Sequence, residues 1–280
     1  MKKFDRILLA SDFDNTLVDS RAAAADGTYH PHLNSRNREA LEYFMENGGF
    51  FAVSTGRAAS VFALFEPEVP HNAPCIVANG AAIYDYANST YLYRRFLPPA
   101  VHEQLNVVLQ NFPAIAMEIF TPSSRVYAIH KNEYILRHER LTKHPTTPID
   151  SFAQAEGDIV KCLFTGEPDE LDTIAAFINA QPWAEQYAVA KSTPSLLEVT
   201  SSEATKGKAV LALADLLNVP HERVYCSGDE CNDLSMLSAA AESFAPSNAN
   251  PAVLAAVTHQ VGHCGECAIA DIIDYLDRNY

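Results

Sequence analysis

The sequence predicts an α/β fold with a parallel sheet, interrupted by an inserted α+β domain. Short continuous apolar runs alternate with amphipathic helical patterns, which is typical of buried parallel strands joined by helices. The pattern then changes to shorter predicted strands and helices, and the alternation of buried strands and helices resumes later in the chain. We therefore expect a core domain made of residues 1–95 and 192–280, with an inserted domain of residues 96–191.

The expected core elements follow one another along the chain. Residues 7–10 predict a first strand, and a helix is expected from residue 34 or 35 to Asn47, where two glycines end it. Residues 50–53 and 75–78 predict the second and third strands. After the insertion, a helix is expected through Leu217, then a strand over 224–226 and a helix from Leu234. The stretch from Asp19 to Leu33 is interpreted as a long loop and a candidate mobile flap.

Composition and charge restrict the function classes. The chain has 280 residues, a formal net charge of −15 and 48% hydrophobic residues, which is ample for a packed core. This acidity argues against a nucleic-acid or anionic-membrane partner held by bulk charge, and no apolar run is long enough to span a membrane. No signal peptide is expected at the N-terminus, and the six cysteines are scattered, so we expect free thiols and a cytoplasmic location.

One local run has some likeness to a zinc site. His259, His263, Cys264 and Cys267 lie within nine residues of one another. The spacing is compressed and lacks the usual separation between ligand pairs, so we interpret these residues as loop and helix-start residues.

The first predicted strand ends in two carboxylates. Asp12 and Asp14 flank Phe13, and Asn15 and Thr16 follow. Clustered carboxylates repel unless a cation lies between them or one takes up a proton. A hard cation such as Mg²⁺ is held by carboxylates together with substrate phosphate, and a protonated carboxyl can act as a general acid. The alternative is a solvated, Asp-rich turn after a strand.

Other predicted elements also place polar residues where open α/β sheets bind ligands. Thr55 offers a hydroxyl after the second strand, and the backbone N–H groups around Gly56 form an anion site at a helix start. Lys206 offers a positive charge at the start of another helix. Asp229 follows a later strand, and Asp233 lies four residues further on, within expected reach of a cation or its waters. Taken alone, each of these residues is more typical of a turn or a solvated face.

Together, the motifs resemble those of the haloacid dehalogenase superfamily, in the Cof-type branch whose α/β cap is inserted after the third core strand. The matching segments are Asp12-Phe13-Asp14-Asn15-Thr16, Ser54-Thr55-Gly56-Arg57, Lys206-Gly207 and Gly228-Asp229-Glu230-Cys231-Asn232-Asp233, with softer matches at Asn79-Gly80-Ala81 and Ser247-Asn248-Ala249. Asn15 stands where the family usually has Gly, which is tolerable because Asn accepts left-handed backbone. The 19–33 stretch is longer than usual.

The resemblance implies a Rossmann-like core and an Mg²⁺-dependent phosphatase that forms an aspartyl-phosphate. Asp12 would be the nucleophile and Asp14 the general acid and base. Asp12, Asp14 and Asp229 would supply oxygens to Mg²⁺, Asp14 through its side chain or only through its backbone carbonyl, and Asp233 would reach the cation or its waters. The groups expected to bind phosphate are Thr55, Gly56, Lys206 and Asn232. Two roles stay open for Arg57: a place at the rim of the site, or a structural pair with a nearby acid. The expected substrate is a small phosphorylated metabolite, such as a sugar phosphate, and the oligomeric state cannot be read.

Two alternatives remain open at this point. A sugar phosphomutase uses the same four motifs, and no residue distinguishes it from a phosphatase. A binding module could keep the fold without turnover, because a fold alone never fixes function.

Overall fold

A computed structural model of the protein describes residues 2–122 and 125–280. The strands are β1 (Leu8–Asp12), β2 (Phe50–Ser54), β3 (Cys75–Val77), β4 (Ala82–Asp85), β5 (Thr90–Arg94), β6 (Ala116–Phe120), β7 (Val126–Ile129), β8 (Thr146–Pro148), β9 (Lys161–Thr165), β10 (Tyr187–Thr193), β11 (Leu196–Ser201), β12 (Val224–Ser227), β13 (Glu242–Pro246) and β14 (His259–Val261). The α-helices are α1 (Ser20–Ala25), α2 (Ser35–Glu46), α3 (Ala59–Phe62), α4 (Val101–Asn111), α5 (Glu133–Thr142), α6 (Pro168–Asn179), α7 (Lys206–Leu216), α8 (Leu234–Ala239), α9 (Pro251–Leu254) and α10 (Ala268–Asn279).

The first compact unit is built on an eight-stranded sheet. Its strand order is β14-β13-β12-β1-β2-β3-β4-β5, and all pairs from β14 to β3 are parallel. All five residues of β1 are buried, as expected for a parallel strand covered on both faces. The strand order reverses at β1, so the carboxyl ends of β1, β2 and β12 lie side by side at the edge where such sheets bind ligands. The predicted α/β class with a parallel-sheet core is confirmed.

The second unit has a sheet and a core of its own. Six strands lie in the order β10-β11-β9-β6-β7-β8, and every pair is antiparallel except β7 with β8. Side chains of α4 and α6, such as Leu105 and Ile174, form a buried cluster with Phe164 of β9. The mixture of helices with an antiparallel sheet is the expected α+β character of the inserted segment.

The extent of the second unit differs from the expected range of residues 96–191. Contacts within the chain assign residues 94–204 to it, together with residues 58–61. The reason is β11, which pairs with β9 and β10 and buries Leu197 and Val199 in the core of the second unit. The sequence boundary at 191/192 would cut through β10 and separate it from β11.

The 19–33 stretch also differs from the expected loop. Its first part is the helix α1, which begins after Asp19, and the carboxylate of Asp19 accepts a hydrogen bond from the backbone N–H of Ala22. An aspartate N-cap followed by four alanines is a favourable local signal for a helix. In the described part of the chain, no helix is both long enough and apolar enough to cross a membrane.

Candidate active site

The loop after β1 is fixed by its aromatic residue. Phe13 is buried, and its ring packs against those of Phe62 and Phe65, with centroid separations of 5.2 and 5.6 Å. Asn15 has a φ of 58°, so the chain turns through the left-handed conformation that an asparagine tolerates. The turn leaves Asp12 as the last residue of β1, 7% exposed.

Lys206 lies at the centre of the site. Its side chain is fully buried, and Nζ donates hydrogen bonds to Asp12 Oδ1 at 2.7 Å and to Asp233 Oδ1 at 2.6 Å. Burial alone would lower the pKa of Lys206, but the carboxylates of Asp12 and Asp233 outweigh burial and raise its pKa. A buried ammonium group is tolerated only with such compensation, so Lys206 is a fixed positive charge against Asp12.

Two glycines let the surrounding backbone approach this lysine. A Cβ atom on Gly80 would lie 2.3 Å from the carbonyl carbon and oxygen of Thr205, the residue that precedes Lys206. A Cβ atom on Gly207 would lie 2.3 Å from the carbonyl oxygen of Ser235 in α8. The glycines of two sequence motifs therefore permit close packing around the N-terminus of α7.

Asp233 organises the loop after β12. Its Oδ2 atom accepts hydrogen bonds from the backbone N–H groups of Asp229 and Glu230, at 3.0 and 3.1 Å. Its other oxygen is bonded to Lys206, and the side chain is fully buried. Asp233 therefore joins the start of α7 to the loop that carries Asp229.

Asp229 is the least satisfied acid of the group. Its Oδ1 atom accepts a hydrogen bond from the hydroxyl of Thr16 at 3.0 Å. Its Oδ2 atom is buried and has no hydrogen-bond partner among the described residues, and Arg21 Nη2 lies 3.6 Å away. Burial, and then the nearby charge of Asp233, raise the pKa of Asp229 to about 7.

The site fits a hard divalent cation. Asp12, Asp229 and Asp233 are buried, and one carboxylate oxygen from each lies within 4.8 Å of the others. Burial raises the pKa of Asp12 well above its ordinary value, with Asp233 as the next cause. One buried lysine cannot neutralise three carboxylates, and Asp229 Oδ2 accepts no hydrogen bond from the described residues, so the charge and the donor atoms suit Mg²⁺.

Asp14 lies outside this carboxylate group. Its Oδ1 atom accepts a hydrogen bond from Arg57 Nη2 at 2.7 Å and its Oδ2 atom one from Arg57 Nε at 2.9 Å, and Ser20 also donates to it. Burial would raise the pKa of Asp14, but Arg57 and Ser20 outweigh burial and lower it. The Asp14 side chain is thus not part of the cluster that the described residues form, while ligation through its backbone carbonyl stays a prediction. Arg57 is paired with an acid.

The groups expected to bind phosphate surround the ends of β2 and β3. Thr55 is fully buried, and its Oγ1 atom accepts a hydrogen bond from the backbone N–H of Arg57 at 3.1 Å. Gly56 is half-buried beside Asn79. Asn232 is exposed, and its amide donates to Asn79 Oδ1 at 3.0 Å. The Asn232 side chain therefore contacts the loop that follows β3.

A comparison with protein families decides the ancestry of the chain. A family model described as haloacid dehalogenase-like hydrolase matches residues 9–273. The chain belongs to this family. The predicted superfamily and its Cof-type branch are confirmed, and so is the predicted enzyme class, a phosphoric monoester hydrolase.

Relatives of this haloacid dehalogenase-like chain match over most of their length. The phosphatase YwpJ of Bacillus subtilis is 29% identical over 276 residues, which cover 86% of this chain and 90% of YwpJ. The 5-amino-6-(5-phospho-D-ribitylamino)uracil phosphatase YitU of Bacillus subtilis is 22% identical over 257 residues, covering 88% of each chain.

Solved structures show the same fold. A haloacid dehalogenase-like hydrolase from Bacteroides thetaiotaomicron superposes with a TM-score of 0.81 at 21% identity, covering 98% of this chain and 99% of its own. A sugar phosphatase of haloacid dehalogenase subclass IIB superposes with a TM-score of 0.79 at 19% identity, covering 97% and 99%.

Sequence reasoning missed several residues of this haloacid dehalogenase-type site. Ser20 bonds Asp14, Arg21 approaches Asp229, and Thr16 donates to Asp229. Ser20 and Arg21 begin α1, which the sequence analysis treated as loop. The N-cap signal at Asp19 could have revealed the helix, but nothing local indicates which acids its first residues meet.

The residues of the zinc-like run have separate partners in the structure. His259 pairs with Glu242 at 2.7 Å, and the thiol of Cys267 donates to Asp271. His263 and Cys264 remain neighbours near Asp19, but the backbone N–H of Gly265 donates to His263 Nδ1 at 3.1 Å. All six cysteines are free.

Proposed function

We propose that the protein is an Mg²⁺-dependent phosphatase that hydrolyses a small phosphorylated metabolite through an aspartyl-phosphate on Asp12. One observation carries the proposal. Asp12, at the end of the central parallel strand, is bonded to the buried Lys206, and the nearby buried Asp229 keeps one oxygen that no described residue hydrogen-bonds. When bound by Asp12 and Asp229, Mg²⁺ would neutralise charge on the transferring phosphoryl group.

In the first step, a carboxylate oxygen of Asp12 attacks phosphorus, and the bond from phosphorus to the leaving oxygen breaks. Lys206 holds Asp12 Oδ1, which leaves Oδ2 as the attacking atom. The ammonium group of Lys206 also lies where it can stabilise negative charge on the phosphoryl oxygens. In the second step, water attacks the phosphorus of the intermediate and releases inorganic phosphate and Asp12.

Asp14 is the proposed acid and base. It would give a proton to the leaving oxygen and then accept one from the attacking water. Arg57 holds the Asp14 carboxylate ionised, which is the state that the second step requires. The first step requires the protonated carboxyl, so the proposal includes movement of Asp14 away from Arg57 when substrate binds.

Thr55, Gly56 and Asn232 are the proposed phosphate-binding groups besides Lys206. The oxygen of the Thr55 hydroxyl already accepts from Arg57 N, so its proton is available to a phosphoryl oxygen. Both oxygens of Asp233 already accept hydrogen bonds. We therefore propose that Asp233 influences the cation indirectly, by positioning the loop that carries Asp229.

A phosphomonoester of a sugar or a similar polyol is the proposed substrate class. YitU is named for a substrate that carries a phosphorylated ribityl chain, and one structural neighbour is named a sugar phosphatase. The net charge of −15 supports a small substrate rather than nucleic acid or an anionic membrane, and a cytoplasmic location is part of the proposal.

Asp12→Asn tests the chemistry. This variant keeps an oxygen for the hydrogen bond from Lys206 but loses the nucleophile, so turnover of p-nitrophenyl phosphate should fall below detection while the unfolding midpoint stays close to that of the wild type. Asp215→Asn, an exposed acid paired with His221, is the matched control and should keep full activity.

Two further readouts complete the test. Turnover should require Mg²⁺, and a sugar phosphate substrate should yield free inorganic phosphate. Retained turnover by Asp12→Asn would refute the nucleophile assignment. An isomeric sugar phosphate with no free phosphate would instead identify a mutase.

A further inference from the structure

A second group of metal-binding side chains lies away from the carboxylate site. His30 Nε2 lies 2.9 Å from Glu68 Oε1, and His32 Nδ1 lies 3.1 Å from Glu68 Oε2. One ligand atom from each of the three residues lies within 4.8 Å of the others. Two imidazoles therefore converge on one carboxylate, and neither catalysis nor the family motifs use them.

Local backbone chemistry explains why both rings point the same way. Pro31 separates the two histidines, and a residue before proline is restricted to extended conformations. Alternate residues of an extended segment share a face, so His30 and His32 project together, with ring centroids 5.1 Å apart. Pro31 is itself buried, which anchors the segment.

The donor set is that of a transition ion rather than of Mg²⁺. Imidazole nitrogens suit Zn²⁺, Cu²⁺ and Ni²⁺, whereas Mg²⁺ takes oxygen ligands. Glu68 supplies the oxygen ligand of the set, because its two carboxylate oxygens lie beside the two imidazole nitrogens. The Arg38 side chain donates to the backbone carbonyl of Glu68 and leaves the carboxylate oxygens to the histidines.

We propose that His30, His32 and Glu68 bind Zn²⁺ or a similar divalent transition ion at a site separate from the carboxylate site. On binding the ion, each ring would give up its hydrogen bond to Glu68, ligate through that same nitrogen and carry its proton on the other nitrogen. Three protein ligands leave a tetrahedral ion one position for water. The His32 and Glu68 side chains are 72% and 50% exposed, so an ion and its water can enter from solvent.

The ion would fasten the end of the 19–33 stretch to the 3₁₀ helix Glu66–Glu68. The His30 ring stacks on Phe65, with centroids 5.1 Å apart and planes 19° apart. The guanidinium of Arg57 lies 4.3 Å from the centre of the same Phe65 ring and holds Asp14. Bound zinc would therefore stabilise a series of contacts that runs from His30 through Phe65 and Arg57 and ends at the proposed acid and base.

Calorimetric titration of the full chain with Zn²⁺, in saturating Mg²⁺, tests this site. We expect wild type to bind, and His30→Gln/His32→Gln to lose affinity by at least the ~10-fold that removal of even a second-shell partner costs. Glutamine can still donate to Glu68, so the fold should survive. His221→Gln, which changes another exposed histidine paired with an acid, is the control and should bind like wild type.

Hydrogen exchange provides an independent readout. Zn²⁺ should slow exchange of the backbone amides at residues 28–33 in the wild type and not in the double variant. Absence of binding by wild type, or unchanged binding by the double variant, would overturn the proposal. Binding lost in His263→Gln instead would assign the ion to the Asp19, His263 and Cys264 group.

Discussion

The buried charges around Lys206 show how far single residues depend on one another. Lys206 contacts Asp12 and Asp233, and Asp233 in turn holds the backbone of the loop that carries Asp229. In a low-dielectric interior, the loss of one partner leaves charges whose desolvation is no longer offset. The stability of this region in the absence of metal therefore rests on one ammonium group.

Lys206→Met should lower the free energy of unfolding by about 3–5 kcal/mol without Mg²⁺. Added Mg²⁺ should recover part of the loss, because the ion neutralises the same carboxylates. Urea denaturation with and without Mg²⁺ measures both effects. Lys208→Met, which changes an exposed lysine in the same helix turn, should cost much less. Equal destabilisation by the two variants would contradict this account.

Residue identities in the site were readable from the sequence, but their pairings were not. Asp12, Lys206 and Asp229 stand out because they follow or precede recognisable elements. The pairing of Asp14 with Arg57 joins residues 43 positions apart, and that of Thr16 with Asp229 joins residues 213 apart. Such contacts depend on strand order, which local patterns do not encode.

At the scale of elements, the packing of α7 against α8 places the lysine. Gly207 leaves no room for a side chain beside the carbonyl of Ser235, so the two helices touch through backbone. A larger residue would push α7 outward and move Lys206 with it.

Gly207→Val should therefore destabilise the protein by about 1–3 kcal/mol through overpacking. It should also reduce phosphatase turnover, because Lys206 would no longer reach Asp12 and Asp233 together. Urea midpoints and steady-state kinetics measure the two effects. Leu216→Ala, at an exposed position of the same helix, is the control. Wild-type stability in Gly207→Val would show that α7 can shift without loss.

The apolar pattern of the sequence predicted which strands exist more reliably than which strands pair. Apolar runs predicted the buried strands, since parallel strands covered on both faces must be apolar throughout. The helix α1 was missed because the alanines and Asp19 were outweighed by Gly27 and Pro31 further along the stretch. The expected boundary at 191/192 assigned β11 to the core domain, because the pattern of a strand shows which face is apolar and not which sheet the strand joins.

At the scale of the molecule, each unit has its own sheet and buried cluster. The carboxylates that suit a cation all belong to the first unit. A ligand stabilises the region that forms its binding site by mass action.

Mg²⁺ should therefore slow amide exchange at Asp229, Glu230 and β12 more than in β6 and β9 of the second unit. Exchange measured by mass spectrometry with and without Mg²⁺ tests this prediction. Asp229→Asn keeps an oxygen for Thr16 but lowers the site charge, so the protection should shrink. Equal slowing in both units would show that they open as one cooperative block.

The sequence by itself determined the fold class, the strand ends and the residue types available for chemistry, because hydrophobic periodicity and helix and turn signals act between near neighbours. Only the tertiary structure decided that Lys206 is buried between two acids, that Arg57 holds Asp14, and that His30 and His32 meet Glu68. These outcomes are set by which elements the sheet brings side by side, and that choice is a property of the whole packed core.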